Sequence, residues 1–117
     1  MAWEVQTVAG QPVLLAAADG PLLSQANDAI GEAYSTGAGV VAIPASRLDP
    51  EFFRLASGVA GEMLQKFVNY GIRPVILGDI SAHLAASNAL RDFVRESNRG
   101  TSVWFLDNLA ALELKLA

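Results

Sequence analysis

Asn69-Tyr70-Gly71-Ile72-Arg73-Pro74-Val75-Ile76-Leu77-Gly78-Asp79 packs the end of a helix, a strand and a turn into one short stretch. Gly71 suits the left-handed residue that follows a helix's last turn. The apolar run Pro74-Val75-Ile76-Leu77 is too short for a helix and is bounded by turn residues, so it reads as a buried strand. Strands separated by helices run parallel through right-handed crossovers, and this stretch therefore points to an α/β fold.

Working upstream, Asp49-Pro50-Glu51 is a helix start, with a carboxylate cap, a proline at the first position and an acid in the first turn. Helical character runs from there to Asn69-Tyr70. Ser57-Gly58 interrupts it, so a short turn followed by a longer helix is the other reading. Val40-Val41-Ala42-Ile43 is a strand stopped by Pro44. Before it, Ala26, Ala29, Ile30, Ala33 and Tyr34 form one helical stripe from Ser24, with Gln25, Asp28 and Glu32 opposite and Gly37 and Gly39 closing the helix. The N-terminus alternates: Trp3, Val5, Thr7 and Ala9 share one face, and Glu4, Gln6 and Val8 the other. Gly10-Gln11-Pro12 connects it to the apolar run Val13 to Ala18, which makes the first two strands antiparallel neighbours.

Downstream, Ala86, Leu90, Phe93 and Val94 mark a third helix ending at Asn98-Arg99-Gly100. Ser102-Val103-Trp104-Phe105-Leu106 is the fifth strand. Asp107-Asn108 caps a last helix whose Leu109, Leu112 and Leu116 fold back on the sheet. The expected order is ββαβαβαβα: a single α/β domain over residues 1–117, with a mixed five-stranded sheet that is mostly parallel and has only the first strand antiparallel.

Composition narrows the chemistry. The 117 residues are 52% hydrophobic and 17% charged, the balance of a packed core. No cysteine is present, which excludes disulfides, thiolate metal sites and a cysteine nucleophile. His83 is the lone histidine, leaving little for a transition metal. The net charge of −4 has the wrong sign for a general nucleic-acid binder. No apolar run reaches the length of a membrane span, and Met1-Ala2-Trp3-Glu4 lacks the basic start of a signal peptide, so the cytoplasm is the default expectation. Gly58-x-x-Gly61 opens no phosphate loop, and no cofactor is implied.

The element order at this length is similar to the STAS domain, the anti-sigma-factor-antagonist fold. Leu55-Ala56-Ser57-Gly58-Val59-Ala60-Gly61 resembles the Asp-Ser-Ser-Gly-Leu segment that opens the second STAS helix. Arg73 to Gly78 and Val103 to Asp107 resemble that family's later strands. In the bacterial regulators a kinase phosphorylates a serine of that segment and weakens partner binding. Here Leu55 holds the acid's place and Ala56 the first serine's, leaving Ser57. A narrower resemblance runs through Glu51-Phe52-Phe53-Arg54-Leu55, Gly58, Ala60-Gly61-Glu62, Gln65-Lys66-Phe67, Asn69-Tyr70, Gly78-Asp79, Leu90-Arg91-Asp92-Phe93 and Glu96-Ser97-Asn98-Arg99-Gly100. Together these are similar to a bacterial domain-of-unknown-function family, number 4180, which implies the fold and carries no established activity.

Three sets of residues are candidates for function. Ser57, Gly58, Asp79 and Ser81 would lie where open α/β sheets bind ligands, beyond the carboxyl ends of the strands, with Ser46, Arg47, Asp49 and Asp107 at the same pole. A Ser57–His83–Asp79 triad would need a serine elbow that the sequence lacks. Turn and cap roles are the commoner explanation of Ser57 and Asp79: Ser57 caps or kinks the helix and Asp79 closes a turn. At the opposite pole, Glu62, Gln65, Lys66 and Asn69 make a polar stripe, joined by Glu96, Asn98 and Arg99. These are either helix-end architecture, with Asn69 and Asn98 satisfying last-turn carbonyls, or a contact surface for an unidentified protein. Finally, Trp3 sits on an edge strand that carries no proline or lysine, and a homodimer through this strand is expected.

The expected protein is therefore a non-catalytic STAS-like regulatory or interaction module. The alternative is a ligand-binding protein or enzyme using the crevice around Asp79 and Ser57.

Overall fold

The computed structural model describes residues 3–23 and 26–117, and the expected helix start at Ser24-Gln25 lies outside them. Strands β1 (Trp3–Val8), β2 (Gln11–Ala16), β3 (Val40–Pro44), β4 (Arg73–Leu77) and β5 (Trp104–Leu106) form one sheet in sequential order. β1 and β2 are antiparallel, and every later pair is parallel. The helices are α1 (Asn27–Thr36), α2 (Val59–Asn69), α3 (Ser81–Ala86), α4 (Asn88–Arg99) and α5 (Leu109–Leu116). The α/β class and the mixed sheet expected from the sequence are both present.

Strand order decides where the helices go. Each step from β2 to β5 moves one place in the same direction, and right-handed crossovers then put all connecting helices on one face. The larger core lies on that face, where Leu14, Val41, Ile43, Ile76 and Phe105 meet Ile30, Phe67 and Leu90. The opposite face carries Val13, Val40, Ala42, Val75 and Trp104, and α5 lies over it with Leu112 fully buried. This split follows the alternation of side chains along each strand.

Several boundaries differ from expectation. The first turn is Ala9-Gly10, both at positive φ (51° and 80°), so β2 begins at Gln11 and includes Pro12. The chain between β3 and α2 makes three 3₁₀ turns rather than entering a helix at once. Asp49 caps one of them, accepting the Glu51 N–H at 2.9 Å. Gly58, at φ 81°, resets the direction before α2, as the turn-plus-helix reading anticipates. The single third helix is two helices. Ser87 is extended (φ −148°, ψ 113°), and its hydroxyl accepts the Leu90 N–H to cap α4. Tyr34, expected on the buried stripe of α1, is 60% exposed; its hydroxyl donates to the Tyr70 carbonyl at 2.8 Å.

Arg47 is the sole buried charged side chain among the described residues, at 2% exposure. Its Nε–H donates to the Pro21 carbonyl at 2.8 Å, and Nη1 donates to Ala17 and Asp19 carbonyls at 2.6 and 3.3 Å. The main chain joins in: Leu23 N–H donates to the Arg47 carbonyl at 2.6 Å. One guanidinium thus ties the loop after β2 to the loop after β3. Gly20 (φ 132°) is required beside it, because a Cβ there would come within 3.1 Å of Cζ.

Removing this clamp takes away three part-buried hydrogen bonds from a charged donor, and hydrogen bonds to charged groups contribute about 1.5–3 kcal/mol. Arg47→Met is expected to lose about 3 kcal/mol of stability, a fall in Tm on the order of 10 °C. Arg54→Met, which breaks the exposed Arg54–Glu51 pair, serves as control and should move stability by less than about 1 kcal/mol. Calorimetry that finds the two variants equal contradicts the clamp.

Candidate functional site

The first candidate set does not converge. The Ser57 hydroxyl donates to the Glu51 carbonyl at 2.6 Å and accepts the Val59 N–H at 3.3 Å, which fixes the entry to α2. Gly58 supplies the left-handed step beside it. Asp79 is exposed at the end of β4, and its carboxylate accepts the Ser81 N–H at 2.9 Å, starting α3. His83 stacks on Phe53, with centroids 4.1 Å apart and planes within 10°. No hydrogen bond among the described residues joins Ser57, His83 and Asp79, and each already has a local structural partner.

A cleft does lie at the carboxyl ends of the strands, but beside β2 rather than at Asp79. It encloses about 450 Å³ and is lined mainly by Leu15, Ala16, Ala17, Pro44, Leu77 and Leu109, with Glu4 and Gln6 on its rim. α5 starts at one side of it. The apolar lining reflects the end of the sheet that α5 leaves bare.

The polar stripe on α2 is a solvated face. Glu62, Gln65, Lys66 and Asn69 are all exposed and share a shallow groove with Tyr70. Asn69 accepts from Gln65 Nε2 at 2.8 Å instead of serving a last-turn carbonyl. Glu96 and Arg99 form an exposed ion pair at 3.2 Å. No hydrogen bond or ion pair among the described residues links these two groups.

Asn98 has a different task from the one expected. Its Nδ2 donates to the Phe105 carbonyl at 3.0 Å, and its Oδ1 accepts the Phe105 N–H at 2.7 Å. The side-chain amide thereby imitates a neighbouring strand and closes the outer edge of β5. The α4 carbonyl expected to need Asn98 is served by Lys115, whose Nζ donates to the Asn98 backbone oxygen at 3.1 Å. Lys115 and Arg73 also lie 5.0 and 4.3 Å from the Trp104 ring centroid. The indole Nε1–H donates to the Gly100 carbonyl, and Arg73 Nε donates to Thr101. This cluster locks the α4–β5 connection.

β1 is treated in the opposite way. Its outer side pairs with no strand among the described residues. Glu4, Val5, Gln6 and Thr7 are exposed, Val5 by 43%, while Trp3 is half-buried and Val8 buried. Trp3 packs partly against the larger core. Sequence reasoning placed Arg47 at this pole and overlooked its burial; an arginine directly after a strand end, facing a Gly-Pro loop, was the available signal.

The geometry defines a small α/β domain with a sequential mixed sheet. The family model for "Domain of unknown function (DUF4180)" matches residues 8–116, and the chain belongs to that family. No curated protein and no solved structure matches the chain. No helix among the described residues is long and apolar enough to cross a membrane.

Asp79 supplies a titration that checks the local geometry. The Ser81 hydroxyl, followed by the Ser81 N–H, holds its carboxyl below the ordinary value of 3.8. A depressed carboxyl stabilises the fold above the unfolded-state value, and that contribution is lost as pH falls through the folded-state value. Carboxyl NMR titration should give a midpoint below 3.8 for Asp79, and Ser81→Ala should raise it. A midpoint unmoved by Ser81→Ala contradicts the hydroxyl's share in that lowering.

Proposed function

We propose that this chain is a bacterial, cytoplasmic protein-interaction module with a STAS-like core, working by surface contact rather than by catalysis. The element order and the position of Ser57-Gly58 directly before α2 support the STAS-like reading. The observation that carries the interaction reading is the unequal treatment of the two sheet edges. Asn98 closes β5 with two hydrogen bonds, whereas the outer side of β1 pairs with no strand among the described residues and carries an exposed valine. Open edges attract strands, and stable monomers usually block them. A protein that seals one edge and leaves the other free is equipped for strand addition. A homodimer is the simplest such assembly. The stripe of Glu62, Gln65, Lys66 and Asn69, with Glu96 and Arg99, supplies a further polar contact surface.

A second reading rests on the cleft beside β2. Its apolar walls and strand-end position suit a small apolar ligand. Asp79 and Ser57 do not line it, so any such ligand would be held by Leu15, Leu77 and Leu109 rather than by those side chains.

Val5→Lys separates the two. A lysine on the edge repels an added strand while leaving the cleft lining intact. Tagged wild-type protein in lysate of its source cells should retain a partner, or an untagged copy of itself, at least tenfold better than the variant, with unchanged circular dichroism. Equal retention by both proteins contradicts the edge as the contact surface.

A further inference from the structure

We infer that the partner of the β1 edge is a second copy of this chain, paired antiparallel in a register centred on Val5. The inference rests on the interaction reading above and goes further by naming the partner and its register. The hairpin fixes which backbone groups are free. Ala9 and Gly10 both have positive φ, and Val8 lies opposite Gln11, the geometry of a two-residue turn closed by a hydrogen-bonded pair. Bonded and non-bonded pairs then alternate along the ladder. Gln6 opposite Val13 and Glu4 opposite Leu15 are bonded; Thr7 opposite Pro12, Val5 opposite Leu14 and Trp3 opposite Ala16 are not. Pro12, which has no N–H, falls at one of the non-bonded positions, as it must. Trp3, Val5 and Thr7 therefore turn their N–H and C=O groups to the open edge.

Only a limited set of self-pairings can use those groups. Centring on Val5 sets Val5 opposite Val5 and Trp3 opposite Thr7 twice, so all three residues of both copies bond. The intervening residues then meet as Glu4 opposite Gln6, an amide donor facing a carboxylate. The same pair already bonds within one chain, Gln6 Nε2 donating to Glu4 Oε1 at 3.2 Å. Sliding one copy by a strand repeat towards the N-terminus sets Glu4 opposite Glu4, where like charges repel. Sliding it the other way sets Gln6 opposite Gln6 and leaves Trp3 unpaired. The Val5 register also buries the exposed valine against its twin. Because Asn98 closes the far edge of each sheet, growth stops at two copies, giving a closed dimer rather than a fibre.

The chain has no cysteine, so single cysteines report the register directly. In a non-bonded antiparallel pair the Cα atoms are about 4.5 Å apart, within disulfide reach, whereas diagonal neighbours are about 7–8 Å apart. An oxidised mixture of Glu4→Cys and Gln6→Cys proteins should give several-fold more cross-linked dimer than either alone. Light scattering of the unmodified protein should give twice the 12.3 kDa chain mass, and Val5→Lys should return it to 12.3 kDa. A wild-type mass of 12.3 kDa at the highest soluble concentration overturns the second copy as partner; the interaction reading then stands or falls by the retention experiment with Val5→Lys. A wild-type dimer whose mixed variants cross-link no better than either alone overturns the register.

Discussion

The handedness of the β–α–β crossover governs this molecule. Once β2 to β5 follow one another in order, right-handed connections leave α1 and α2 with α3 and α4 on a single face. Among the described residues, the helix that covers the other face is α5. α5 has eight residues. It buries Leu112 and screens Val13, Val40 and Trp104, yet it leaves the start of β1 and the cleft beside β2 bare. The open edge and the strand-end cleft are thus consequences of topology before they are features of any site.

Two polar clamps make that topology hold. Arg47 sits at the carboxyl ends of β2 and β3 and replaces regular pairing between irregular loops with charge-assisted bonds to their carbonyls. Asn98 sits at the other pole and supplies β5, three residues long, with the neighbour it lacks. Lys115 then ties α5 back to α4 over Trp104, so the helix that covers the second face is anchored through the same connection. Neither clamp involves a buried ion pair. Each relies on matching one planar side chain to main-chain groups.

The strands were legible because their apolar runs are short and bounded by Gly, Pro and Asp; Val40–Ile43 and Pro74–Leu77 needed nothing else. The break between α3 and α4 was not, since Ala86, Ser87 and Asn88 show no glycine or proline, and a serine cap looks like an ordinary helical serine until its φ is known. Tyr34 kept the helical period but escaped burial because its hydroxyl reaches the Tyr70 carbonyl, a partner 36 positions away. The same distance problem hid Arg47 and Asn98, whose acceptors and donors lie on other segments. The candidate site fared less well than the fold. Ser57, Asp79 and Ser81 have the right residue types for chemistry, yet Asp79 and Ser81 hold each other in one turn and Ser57 is held by Glu51 and Val59 on the adjoining turns. The β1 edge was legible from what it lacks, proline and lysine, because edge protection is itself a sequence pattern.

The central claim is that this sheet has one sealed edge and one edge made to be paired. Residue-resolved amide hydrogen exchange tests it most directly. In dilute protein the Phe105 amide should exchange slowly behind Asn98, while along β1 Gln6 and Val8 should be slow and Val5 and Thr7 fast. As concentration rises, Val5 and Thr7 should become slow and the alternation should disappear. Val5 and Thr7 that stay fast at every concentration, or a Phe105 amide as fast as theirs, would contradict the account.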